Sequence, residues 1–307
     1  DTRIEFAHPT IATAAVELMS TFDRRAAHRR LAEHVANSEE RALHLAAAQL
    51  EPTEPLAVEL EAAGDAASAR GAPDAAGRLY AAATAATPVA HHEQRRRRQQ
   101  QLVRAQHAGG AYADVLATLA TIDAAAGSEL ADWVVLQRVK ATYEAHGVAT
   151  ARQLAAESLP LVADPTTRIE LESMLAALFI YDDAAASLRH SRRVVTAIAA
   201  DSALAGSLVE TQARLRVAAA AVATGERVDL DDVVALAGAA DDRTCWLAAM
   251  IALAWAGDAR VVEIAERLSD DGDPAVAYSA INARLLAAAT RGEFELGRAL
   301  IASAFLT

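Results

Sequence analysis

Cys245 is the only cysteine in the 307-residue sequence, so no disulfide can form within the chain, and a reducing, cytoplasmic setting is the expectation. Lys140 is the only lysine, and it stands in LQRVKATYE with no glycine-rich loop before it and alanine after it. A phosphate-binding loop needs glycine-freed N–H groups, a lysine and a following Ser or Thr, so ATP turnover by this chain alone is excluded. Aromatic residues make up 4% of the sequence, three of them tryptophans, which leaves little with which to build a sugar platform. Long apolar runs are also missing: the uncharged stretch TCWLAAMIALAWAG (244–257) has 14 residues, a core-helix length too short for a bilayer. Positive charge is in deficit, with 29 basic against 41 acidic side chains and a net charge of −12. Such a chain repels phosphate backbones, which argues against general nucleic-acid binding. The start lacks methionine and the basic–apolar–small pattern of a signal peptide, so the sequence reads as a soluble piece of a longer protein.

Alanine fills much of the remaining space, a composition suited to closely approaching helices rather than one thick core. Helix-breaking glycines recur between apolar-periodic segments at Gly71, Gly109-Gly110, Gly147, Gly225, Gly257 and Gly292. With one more turn near Tyr181-Asp182-Asp183, they divide 221 residues into six intervals of about 37, the length of a helix-pair repeat. Prolines keep a matching offset: Gly71 to Pro88 is 17 residues, Gly147 to Pro165 is 18, and Gly257 to Pro274 is 17. Each glycine can turn the chain between two helices, and each proline can end a second helix or start the next pair.

One repeat is legible in detail. In LEAAGDAASARGAPDAAGRLYAAATAATP (60–88), Ala63-Gly64 and Ala67 share a face of a first helix, and Ala76, Tyr80 and Ala83 share one on the second. Small residues at Gly64 and Ala76 let the two helices approach, with Tyr80 filling the space beyond. Leu60, Gly64, Ala76, Tyr80, Ala83 and Pro88 resemble the tetratricopeptide signature, although Leu60 and Ala67 replace its Trp and first Tyr. The fold expected is all-α: a tetratricopeptide-like helical-repeat superhelix of about seven hairpins over residues 51–307. An irregular helical array without a true repeat is the alternative.

The beginning is different. In RIEFAHPTIATAAVEL (3–18), Arg3, Ile4, Glu5 and Phe6 alternate as a half-buried strand would, and His8-Pro9 stops them. A lone strand cannot satisfy its own backbone groups. Next, AHRRLAEHVANSEERALHLAAA (27–48) reads as two amphipathic helices split at Asn37-Ser38, with Asn37 and Glu40 spaced like a capping box. The succession F-x-H-P and helix, then A-x-H-R-R-L-A-E, E-R-A-L-H-L-A-A-A and L-E-x-A-x-x-A-x-x-R-G-A-x-x-A-A, resembles the large LuxR-type ATP-dependent regulators. These are signal-transduction ATPases related to the maltose-regulon activator, and the likeness is close over residues 3–88 only.

The resemblance implies that 1–22 ends a winged-helix domain, that 23–50 links it to the repeats, and that 51–307 is the helical-repeat sensor arm. ATPase and DNA-binding domains would lie outside the chain. ATP or ADP would serve only the intact protein, and the partners would be an inducer or protein together with the adjacent ATPase domain. It also implies that His8 senses ADP phosphate in the intact protein, although Thr10-Ile11-Ala12 departs from the family's Leu-Leu-Arg; otherwise His8 simply ends the strand. A free-standing scaffold for protein assembly is the alternative function, and a helical-toroid hydrolase a more distant one.

No residue set points to catalysis or to a metal. His91-His92 face different sides of a helix, and His28 and His34 do not share a face. Cys245 beside Trp246 reads as a buried packing residue. Asp182-Asp183, Asp231-Asp232, Asp241-Asp242 and Asp270-Asp271 fall at turns and helix starts, where they cap. The run RRRR (95–98) turns through about 400°, so it offers no single face and reads as a solvated helix. A ligand would be met on the concave side, by the first helices of the pairs, at about 90–107, 130–146, 166–180, 203–223, 242–256 and 273–290. Trp133, Arg138, Tyr143 and Glu144 form the densest aromatic and charged set there and are the candidate groove residues; the alternative is that Trp133 and Tyr143 share a buried stripe.

Overall fold

The computed structural model describes residues 9–122, 128–200, 206–269 and 274–304. Every regular element among them is helical, and none of these helices is long and apolar enough to cross a membrane. The strand expected at Arg3–Phe6 lies outside the described residues. Packing divides the chain into two compact units, Asp1–Ala124 and Ala125–Thr307, a division inside the repeat region.

The first unit begins with α1 (Pro9–Leu18), α2 (Thr21–His34) and α3 (Ser38–Ala48). Asn37 caps α3 as its spacing suggests: its Oδ1 accepts the N–H of Glu39 at 2.9 Å and of Glu40 at 3.1 Å. Two hairpins follow, α4 (Glu54–Ala69) with α5 (Pro73–Ala86), and α6 (His92–Ala108) with α7 (Tyr112–Ala120). Successive helices pack on one another from α2 to α7. Leu56, Leu60, Leu79, Tyr80 and Ala83 form the core between α4 and α5. The Tyr80 ring lies directly on Gly64 rather than beyond it. A Cβ at Gly64 would stand 2.8 Å from Tyr80 Cε1, so any larger residue there must displace the ring.

The second unit contains five hairpins: α8 (Glu129–His146) with α9 (Val148–Ser158), α10 (Pro165–Phe179) with α11 (Ala184–Ala199), α12 (Leu208–Ala223) with α13 (Leu230–Ala240), α14 (Arg243–Ala256) with α15 (Arg260–Ser269), and α16 (Pro274–Thr290) with α17 (Phe294–Ala304). Among the described residues the pairs from α4 onward therefore number seven, and the first helix of each from α6 onward falls where the sequence periodicity puts it. Within the unit these first helices also touch in series, α8 to α10, α10 to α12, α12 to α14 and α14 to α16. The run 244–257 supplies α14 and its C-cap Gly257, and Cys245, Ala249, Met250 and Leu253 of α14 are buried in a core of the unit.

The repeating glycine is one device used several times. Gly71, Gly110, Gly225, Gly257 and Gly292 all have φ between +68° and +83°. After each, the next residue donates its N–H five residues back: Ala72 to Ala67, Ala111 to Gln106, Glu226 to Ala221, Asp258 to Leu253 and Glu293 to Ala288, at 2.8–3.0 Å. That is the Schellman ending of a helix, and its left-handed residue is cheap only for glycine. The turn at 181–183 has no glycine. Asp183 closes it instead, its N–H bonding Phe179 O at 2.8 Å and its carboxylate capping α11 through Ala186 N.

Candidate ligand groove

The first helices of the second unit carry matching faces. On α10, Ser173, Ala176 and Ala177, continued by Ile180, stand at i, i+3, i+4 and i+7. On α14, Thr244, Leu247, Ala248 and Ile251 do the same. Alanines on both faces leave room, and α12 runs between them with Arg216 and Ala219. The result is a cavity of about 360 Å³, with Ser279 of α16 and Tyr143 of α8 also on its wall. Tyr143, Ala177 and Tyr181 are shared with an adjoining hollow of about 370 Å³, which Val148, Met174 and Leu178 make apolar. Two aromatic rings, several hydroxyls and one cation thus line an otherwise aliphatic groove. Ligand sites generally have this make-up.

Arg216 is the charged residue among those lining the cavity. Its guanidinium donates to the Ser173 hydroxyl, and no carboxylate pairs with it among the described residues. Burial pushes its pKa down, with a smaller opposing influence from Cys245, and the group stays cationic. Other arginines of the protein are treated differently. Arg98 is fully buried but meets Glu54 at 2.7 Å and Glu61 at 2.9 Å, and Arg260 meets Asp231 at 2.6 Å and Asp258 at 2.8 Å. The other polar side chains on the cavity wall include the hydroxyls of Thr244 and Ser187. Gln212 Nε2 bonds Thr244 Oγ1, while Ser187 Oγ donates to Ala176 O at 2.7 Å.

Of the four groove residues expected from sequence, Tyr143 lines the groove and is 42% exposed, so it does not belong to a buried stripe. Trp133 is half-buried, and Arg138 and Glu144 are exposed; none of these three lines either hollow. At about 100° per residue the four positions spread around α8 instead of sharing one face. His8 and Asp270-Asp271 lie outside the described residues. Arg216 was missed, although it carries a signal: it is a lone charge in the apolar run LRVAAAAVA (215–223).

The basic run needs a correction. Three of its four arginines converge on Glu61 and Thr87, and Arg98 is not solvated. It bridges α6 to Glu54 and Glu61 of α4 and donates to Thr87 Oγ1 at 2.7 Å, because a helix buried on one side must bury whichever residue faces inward. Arg97 adds a bond to Glu61, Arg95 binds Thr87 O, and Arg96 is exposed. His28 finds a partner the spacing did not suggest, His44 of α3, with Nδ1 atoms 3.0 Å apart. No cluster of three or more metal-ligating side chains occurs among the described residues. Cys245 is fully buried, and burial, with the Asp242 carboxylate nearby, pushes its thiol pKa up. Asp242 itself caps α14 through Thr244 N and Cys245 N, whereas the cap of α13 is Asp229 and not the expected Asp231-Asp232, which sit in the first turn and give it their N–H groups.

No protein-family profile, curated protein or solved structure matches the chain.

Proposed function

We propose that the chain is a non-catalytic sensor arm of an ATP-dependent transcriptional regulator of the large LuxR type, binding an inducer or a protein partner. ATP hydrolysis and DNA binding belong to segments outside this sequence. The observation that carries the binding role is the groove spanning α8, α10, α12, α14 and α16, with Arg216 inside it. The resemblance of residues 3–88 to such regulators supplies the rest. A ligand touching several stacked hairpins favours one arrangement of them over another, and that differential affinity biases an attached two-state ATPase. The coding sequence on either side provides the test. A P-loop upstream and a helix-turn-helix downstream are expected, with ATP turnover by the longer protein and none by these 307 residues. A reading frame holding neither leaves a free-standing binding scaffold in its place. In the longer protein, Ala177→Phe, which plugs the groove, is expected to abolish induced transcription.

A further inference from the structure

We infer that the groove of the second unit takes a small organic carboxylate, whose anionic head meets Arg216 and whose apolar body lies toward Tyr143 and Tyr181. This rests on the groove being the ligand site of the proposed sensor arm, and it names the ligand's chemistry.

A half-buried guanidinium has lost part of its hydration, a loss that carboxylates offset at the half-buried Arg152 and Arg260 and at the fully buried Arg98. Among the described residues Arg216 has only the Ser173 hydroxyl. A hydroxyl satisfies one donor of five and no charge, so the fork keeps donors for a planar acceptor. A carboxylate matches that fork in both geometry and charge. One cation also selects a monoanion. A phosphate dianion would need further positive groups, and Arg216 is the charged residue lining this cavity. Asp182, at the edge of the adjoining hollow, is held by Arg152 at 2.7 Å and so does not compensate Arg216.

The rest of the wall describes the body of the ligand. Ile180, Leu247 and Ile251 are aliphatic, Ala176, Ala177 and Ala248 leave space, and the tyrosine rings close the end shared with the second hollow. A volume of about 360 Å³ sits near the small end of ligand pockets, which suits a compact aromatic or branched acid and not a nucleotide.

The probes are phenylacetate, benzoate and hexanoate, with phenylacetamide as the neutral isostere and phenyl phosphate as the dianion, titrated calorimetrically into the 307-residue chain. At least one carboxylate is expected to bind saturably, with phenylacetate about tenfold or more tighter than phenylacetamide, and that preference is expected to vanish in Arg216→Met. Phenyl phosphate is expected to bind more weakly than phenylacetate. No saturable binding of any carboxylate, equal binding of acid and amide, unchanged phenylacetate affinity in Arg216→Met, or preference for phenyl phosphate would each overturn the inference. Should Arg216→Met fail to fold by circular dichroism, Ala177→Phe decides: it keeps Arg216 and fills the groove, and carboxylate binding that survives it overturns the site. These titrations involve neither ATP nor DNA. A chain that binds phenylacetate but belongs to no ATPase therefore loses the regulator reading and keeps the carboxylate site.

Discussion

Among individual residues, the buried ions have the largest expected effects. Arg98 is fully buried and bonds two carboxylates, so Arg98→Ala removes the cation that Glu54 and Glu61 share and leaves Glu61 with the exposed Arg97. Breaking a buried pair in this way costs about 3–5 kcal/mol, whereas Arg96→Ala, two residues away and exposed, is expected to stay within about 0.5 kcal/mol. Urea denaturation of both variants checks the contrast. The hydrogen bond from Arg98 holds the Glu54 pKa below the usual carboxylate range. Its stabilisation is therefore present above that range and is lost as pH falls through the depressed value. His28 acts in the same direction nearer neutrality. Burial, helped by His44, lowers its pKa from the ordinary 6.5. The native state gains nothing from its neutral form above 6.5 but resists its protonation below, so stability falls as pH drops past that point. His28→Gln is expected to flatten the melting temperature between about pH 6.5 and 5. Cys245, buried and with a raised pKa, is expected to react with iodoacetamide only after unfolding. Modification of the native chain at pH 7 would contradict that.

Helix pairs here depend on close approach more than on large side chains. The α4–α5 hairpin is the sharpest case, because Tyr80 packs on bare backbone at Gly64 and anchors its hydroxyl on Asp65 Oδ1 at 2.7 Å. Gly64→Ala improves helix propensity yet pushes the ring away, and the overpacking is expected to win by about 1–3 kcal/mol. A thermal melt that rises in Gly64→Ala would show that the ring moves freely. Some helix starts use the aspartates expected from sequence, at Asp183 and Asp242, while α13 uses Asp229. Asp242 accepts two N–H groups of α14, and the Thr244 hydroxyl beside it lowers its pKa. Asp242→Ala is expected to cost about 1 kcal/mol in a denaturant titration, with the difference from wild type shrinking at acid pH as the wild-type carboxylate protonates.

Across the whole molecule, the packing separates residues 1–124 from 125–307. Trp133, Trp246 and Trp255 all belong to the second unit. Tryptophan fluorescence therefore follows that unit alone, while far-ultraviolet circular dichroism follows both. If each unit unfolds on its own core, the two signals will not coincide in a denaturant titration. Superimposable curves would mean that the units unfold as one.

Element boundaries were legible because they depend on local chemistry. Glycine at a left-handed helix end, proline at the first position of α10 and α16, and aspartate or asparagine at the helix starts act within a few residues of chain. The spacing of those signals was enough to place the first helices from α6 to α16 and the seven pairs. Which side chains meet across helices was not legible, because a helical sequence states an angle around its own axis and nothing about the neighbour. Arg98 and Arg96 are two residues apart in one basic run, yet one is sealed against α4 and the other lies in water. Trp133, Arg138 and Glu144 are dense in sequence and diverge in space, while Arg216, Tyr143 and Thr244 are distant in sequence and line one groove. Only the stacking of α8, α10, α12, α14 and α16 decided that, since burial of each apolar stripe against the next helix determines which polar group is left facing the hollow.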